Sequence, residues 1–161
     1  MSQNKIPPPE RIASSFRQLT AAASDRKLAT EELATAISKL DAALNTLNPG
    51  VSAWHKIAAH EDQDGSYWSR DIGYTMVGKR WGIALRRASG HNTFEIYNEE
   101  VWLFNDAPPW MCVESVSKIP DLFDELIKRT QDTTKKLRAR STEADDLAKA
   151  VIAAAAEMEA W

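Results

Sequence analysis

From Ile12 the apolar positions recur at alternating spacings of four and three: Ile12, Phe16, Leu19, Ala23, Arg26, Thr30, Leu33, Ile37, Leu40, Leu44, Leu47. That is the seam of a long amphipathic helix, and nine of the eleven positions are apolar. Asn48-Pro49-Gly50 ends it, because proline and glycine do not continue a helix. A second seam runs Ile119, Phe123, Leu126, Thr130, Thr133, Leu137, Arg140, Ala144, Leu147, Val151, Ala154, Met158, with Pro120 suited to its first turn. The predicted helices cover 10–47 and 119–159. The simplest packing is antiparallel, with Leu47 against Ile119 and Ile12 against Ala154. Arg26 then faces Arg140, two like charges in one layer, with potential capping residues beside both. The expectation at that level is a kink, a break or an opening to solvent.

Between 51 and 116 the period changes to two, and turn residues punctuate the pattern, which is the mark of strands. The clearest hairpin runs from Ser69 to Arg87. A Gly78-Lys79 loop suits a type II′ turn. It sets Met76 opposite Trp81, Tyr74 opposite Ile83 and Ile72 opposite Leu85 on one apolar face. The other face receives Asp71 opposite Arg86, Gly73 opposite Ala84 and Thr75 opposite Gly82, with Arg80 near the turn; the opposite-charge pair in register supports the alignment. A second hairpin is expected to turn at Asn98-Glu99, pairing Ile96 with Val101 and Phe94 with Leu103. It leaves Glu95, Tyr97, Glu100, Trp102 and Phe104 on its far side. Trp110 to Glu114 reads as a short strand and Val51 to Ala59 as an edge strand. The fold class is therefore α+β: two long antiparallel amphipathic helices flanking an antiparallel β-meander of about four to six strands. Met1 to Pro9, with Pro7-Pro8-Pro9, reads as an extended tail before a single domain over 10–161.

Composition narrows the class. With 161 residues, 43% apolar and 27% charged, the chain has the profile of one globular domain rather than a disordered or fibrous chain. No apolar run is long enough for an export signal or a spanning helix. The single cysteine, Cys112, has no internal partner, so a reducing cytoplasm is the expected compartment. The net charge of −3 counts against a duplex-DNA binder, which gains affinity by neutralising phosphates.

No catalytic signature emerges. The chain has no Gly-x-Ser-x-Gly elbow or phosphate-cradling glycine loop, and Cys112 falls in a predicted strand, where a buried thiol is inert. No cofactor is implied. No metal site is predicted either: His55, His60 and His91 lack closed zinc-site spacing. His60-Glu61-Asp62-Gln63-Asp64-Gly65 resembles an EF-hand loop only in part and reads as an acidic hairpin loop.

The aromatic signal is stronger. Six tryptophans are present, and five of them (Trp54, Trp68, Trp81, Trp102, Trp110) fall in the β segment. Trp81 is assigned to the core. Trp102 and Phe104 are expected on the face opposite the apolar one, near Arg80 and Arg86, and aromatic residues beside arginine are the types that dominate binding hot spots. The expected function is that of a non-enzymatic protein–protein interaction module, an inhibitor or regulator of another macromolecule. Trp102, Phe104, Arg80, Arg86, Trp68, Trp110 and Tyr97 are its candidate contacts. The alternatives are a small-ligand binder or minor enzyme with a pocket between sheet and helices, and a single-stranded nucleic-acid binder. The helical seams also admit a homodimer.

Overall fold

A computed structural model describes residues 5–93 and 96–160, with Ile96 described by its backbone alone. The fold is α+β, with a four-stranded antiparallel sheet. Helix α1 (Pro8–Leu47) precedes strands β1 (Ala53–Glu61), β2 (Ser66–Val77), β3 (Arg80–His91) and β4 (Ile96–Leu103), and helices α2 (Pro109–Ser115) and α3 (Ile119–Glu159) follow. The chain divides into two compact units, Met1–Ala43 and Leu44–Trp161. Among the described residues no helix is long and apolar enough to cross a membrane.

The first unit holds most of α1. The helix starts at Pro8 rather than beyond the proline run, because proline is tolerated where the first-turn N–H groups have no intrahelical acceptor. Of the expected tail, the first four residues lie outside the described ones. Ile12, Phe16 and Leu19 are exposed and Ile37 is buried. The helix ends at Asn48, whose left-handed φ of 49° directs its N–H to the Leu44 carbonyl at 2.9 Å. Neither α1 at Arg26 nor α3 at Arg140 breaks: each is one continuous helix, and each arginine is exposed. Water around the guanidinium groups removes the electrostatic reason for a break.

In the second unit the strands lie in the order β1-β2-β3-β4, a simple meander. The β2–β3 register is the one read from the sequence, from Met76 opposite Trp81 to Asp71 opposite Arg86, and the hairpin extends further, to Ser66 opposite His91. Gly78 takes φ 63° while Lys79 does not enter positive φ, as a type II′ turn requires.

The expected edge strand is β1, at Ala53–Glu61 rather than Val51–Ala59, whereas the segment after β3 differs from expectation. Residues 96–103 form one strand paired to β3, so no turn occurs at Asn98-Glu99 and Ile96 does not fold back on Val101. The expected Phe94 pairing and the placement of Glu95 lie outside the described residues. Trp110–Glu114 is helical, because Pro108-Pro109 opens a helix and places Pro109 in its first turn. Cys112 accordingly sits on a helix, buried, donating its thiol hydrogen to the Phe104 carbonyl at 3.1 Å. Burial pushes its pKa up, which keeps the thiol protonated and unreactive.

Residues opposite in register share a face, so one face carries Trp68, Arg70, Ile72, Tyr74, Ile83, Leu85 and Trp102. The last helix, α3, packs on β1 and β2 from this side, with Asp121 3.6 Å from His55, the register partner of Ile72. Ile72, Ile83, Leu85, Phe104, Met111 and Leu122 are essentially fully buried and form the core. Asn45 closes one end, accepting from the Tyr74 hydroxyl at 2.6 Å and donating to the Trp81 carbonyl at 3.1 Å. Trp81 rests 5.4 Å from Tyr74, centroid to centroid, and is half-buried rather than fully enclosed.

The opposite face carries Trp54, Asp71, Gly73, Ala84, Arg86, Val101 and Leu103. The space over Gly73 on this face is filled from the neighbouring strand. The Trp54 ring lies flat on Gly73, so closely that a Cβ there would meet ring atoms at 2.4 and 2.5 Å. The Arg86 guanidinium sits 4.2 Å above the centroid of that ring, and its Nε is 3.3 Å from the buried Asp71 carboxylate. Trp54 and Arg86 thus cover Gly73, as aromatic rings do over strand glycines.

Candidate partner-binding surface

Extending the β2–β3 register one step past Asp71 and Arg86 sets Arg70 opposite Arg87, and β4 adds Glu100 beside Arg87. Two cations directly opposite each other repel, so each needs its own counter-groups. Helix α2 supplies one set. Trp110 and Glu114 are four residues apart and therefore on one side of it. Glu114 grips Arg70, with Nε–Oε1 at 2.5 Å and Nη2–Oε2 at 3.3 Å, the two-point geometry of a carboxylate on a guanidinium fork. The Arg70 guanidinium is 4.3 Å from the Trp68 ring centroid and 5.3 Å from that of Trp110. It thus joins two tryptophans through cation–π contacts. Arg87 repeats the arrangement more loosely, 2.8 Å from Glu100 and 5.7 Å from the Trp102 centroid.

The result is a belt of aromatic and guanidinium planes across β2, β3 and β4, bounded by α2. Trp110 remains 47% exposed, so its ring still offers apolar area to a partner. Next to the belt a shallow groove of about 250 Å³ is lined by Trp68, Ser89, His91 and Asn98. Trp68 also meets His60, 6.1 Å away between ring centroids, at the border of a second depression of about 370 Å³.

The β1–β2 loop frames this end of the sheet and is an acidic hairpin loop. Asp64 Oδ1 accepts from the Ser66 N–H at 2.9 Å and the Ser66 hydroxyl at 2.6 Å, and these two bonds, the hydroxyl's first, lower its pKa. A carboxyl with a depressed folded-state pKa adds stability that is complete above its unfolded pKa and is lost as pH falls through the folded value. Replacing Ser66 by alanine is therefore expected to raise the Asp64 pKa, followed by its side-chain carboxyl resonance in an NMR titration. An unmoved midpoint would mean that the hydroxyl does not hold the carboxylate. Among the described residues no three His, Cys, Asp or Glu side chains come together as metal ligands would.

The residues proposed from sequence are redistributed. Trp68 and Trp110 come together, through an arginine that sequence reasoning did not single out. Trp102 is on the helix-bearing face, not on the face of Arg86, because β4 runs straight through Asn98-Glu99 and pairs Trp102 with Leu85. Arg86 lies on the other face and is engaged with Trp54 and Asp71. Phe104, 1% exposed, is core and offers no contact surface. Arg80 is exposed beside the tight turn, at the far end of the hairpin from Trp68. Tyr97 is exposed on the Arg86 face, donates to the Glu99 carboxylate and has its pKa raised by that bond. Arg70, Arg87, Glu100 and Glu114 complete the belt. Arg70 opposite Arg87 was a signal already present in the hairpin register.

The four-stranded meander with α3 packed on one face, its end bordered by stacked arginines and tryptophans, defines a class of architecture. No protein-family model, curated protein or solved structure matches the chain.

Proposed function

We propose that the chain is a non-enzymatic protein–protein interaction module, an inhibitor or regulator of another macromolecule in the cytosol, and that it binds through the Trp68–Arg70–Trp110 belt and the adjoining Arg87–Trp102 pair. The observation that carries this reading is Arg70 stacked between two tryptophans and fixed by Glu114. Rings and guanidinium groups fixed in advance lose little conformational freedom on binding, and these residue types supply most interface energy. The chemistry favours a protein over a nucleic acid, because Glu114 and Glu100 already neutralise the two arginines at 2.5 and 2.8 Å. A phosphate backbone would have to displace both carboxylates, whereas an apolar protein surface with carbonyl acceptors would not.

The test is quantitative affinity capture from the native host with wild type, Trp110→Ala and Trp68→Ala, with folding checked by circular dichroism. Wild type is expected to retain a partner that both variants lose by at least tenfold. Equal capture by all three proteins would place the binding surface elsewhere. Tryptophan quenching by a single-stranded oligonucleotide at physiological salt, lost in the same variants, would favour the nucleic-acid reading instead.

A further inference from the structure

We infer that the outer half of α3 is a self-association surface, pairing antiparallel with the same segment of a second copy of this chain. The helix is anchored on the sheet by Leu122 and Leu126, and residues 135–160 are all exposed. That length carries Leu137, Leu147, Val151 and Met158 at 64–79% exposure, all on the seam that also contains Thr133, Arg140, Ala144 and Ala154. A repeating stripe of large apolar side chains facing water is the pattern by which helices pair.

The identity of the occupant follows from the side chains around the stripe. With Leu137, Ala144, Val151 and Met158 as one seam row and Thr133, Arg140, Leu147 and Ala154 as the other, a parallel pair of identical helices stacks Arg140 on Arg140 inside the seam. An antiparallel pair avoids this. Centred between Ala144 and Leu147, it sets Leu137 against the partner's Ala154, Ala144 against the partner's Leu147, Thr133 against the partner's Met158 and Arg140 against the partner's Val151. The two-fold axis repeats every layer. In three of these four layers a large residue meets a smaller one, which is how facing layers interdigitate. Arg140 is ion-paired to Glu143 on its own helix at 2.6 Å, and its aliphatic stem can cover the partner's Val151 while the head stays in water.

Flanking positions agree with this register. On one side of the seam Lys136 comes opposite the partner's Glu157, a complementary pair occurring twice. On the other side Thr134, Ser141, Ala148 and Ala155 are all small, so the helices can approach closely along that edge. Asp145 points outward and is occupied by Lys149 at 2.9 Å. The paired length, Thr133 to Met158, is about 39 Å at 1.5 Å per residue. This inference uses none of the belt residues, so it stands or falls separately from the proposed function.

The experiment is sedimentation equilibrium of the full chain over a wide concentration range, with wild type and Leu147→Glu, beside a cross-linking arm in a Cys112→Ser background. Wild type is expected to dimerise, and Leu147→Glu to weaken the dimer at least 100-fold with unchanged circular dichroism. Copies carrying Lys136→Cys, mixed with copies carrying Glu157→Cys, should form the mixed disulfide in preference to either self-linked species. A wild-type monomer at every concentration, a dimer indifferent to Leu147→Glu, or preferential self-linking of Lys136→Cys would each overturn the inference. So would a lower Tm of Leu147→Glu at concentrations where wild type is itself monomeric, because the stripe would then be covered by the chain itself.

Discussion

Arg86→Ala is expected to destabilise the fold by about 3 kcal/mol, near the low end of the cost of orphaning one member of a buried ion pair. Asp71 is 6% exposed and has the Arg86 Nε at 3.3 Å, so losing the guanidinium leaves a carboxylate in a place water scarcely reaches. The same change uncovers the Trp54 ring, which Arg86 overlies at 4.2 Å. For a chain of this size the loss corresponds to a fall in Tm on the order of 10 °C, measured by circular dichroism. The double variant Asp71→Val/Arg86→Met should recover most of it, because an apolar pair of similar volume carries no orphaned charge. A single variant as stable as wild type would show that Asp71 is solvated after all.

Gly73→Ala is expected to cost about 2 kcal/mol, in the range of overpacking a filled site. The added methyl would meet the body of the Trp54 ring on one side and the Ala53 carbonyl oxygen at 2.7 Å on the other. Rotating the ring off the strand would relieve the contact but break the Arg86 stack. The loss should therefore be smaller in a Trp54→Ala background, where only the carbonyl contact remains, and urea denaturation of the four proteins of the cycle measures the coupling. Equal penalties in both backgrounds would mean that the ring does not press on Gly73.

These two predictions concern a face that the sequence describes only halfway. The register placing Asp71 opposite Arg86 and Gly73 opposite Ala84 was readable, because a glycine-led two-residue turn fixes every pair along a hairpin. What fills the space above Gly73 was not, since Trp54 comes from a neighbouring strand whose own register depends on a bulge. The long helices were legible for a similar reason: a spacing sustained over eleven or twelve positions outweighs local exceptions such as Arg26. Strand β4 was misread because it is an edge strand. Asn98, Glu99 and Glu100 are exposed whichever way they point, so no core imposes alternation and three polar residues in a row imitate a turn. That error moved Trp102 to the wrong face. Helix α2 was hidden by its brevity, since seven residues are too few to display a helical period, and with it went the spacing of Trp110 and Glu114 that assembles the belt.

The register shift between Lys56 and Ala58 has one more consequence. Strand β1 is an outer strand of an open sheet, and a straight outer strand offers a free row of N–H and C=O groups on which another chain can add, copy after copy. The shift bends that row out of alignment, and the exposed Lys56 adds a charge along it. A second molecule can find no continuous run of partners on β1 there, so strand addition at this edge is disfavoured while the sheet interior stays regular.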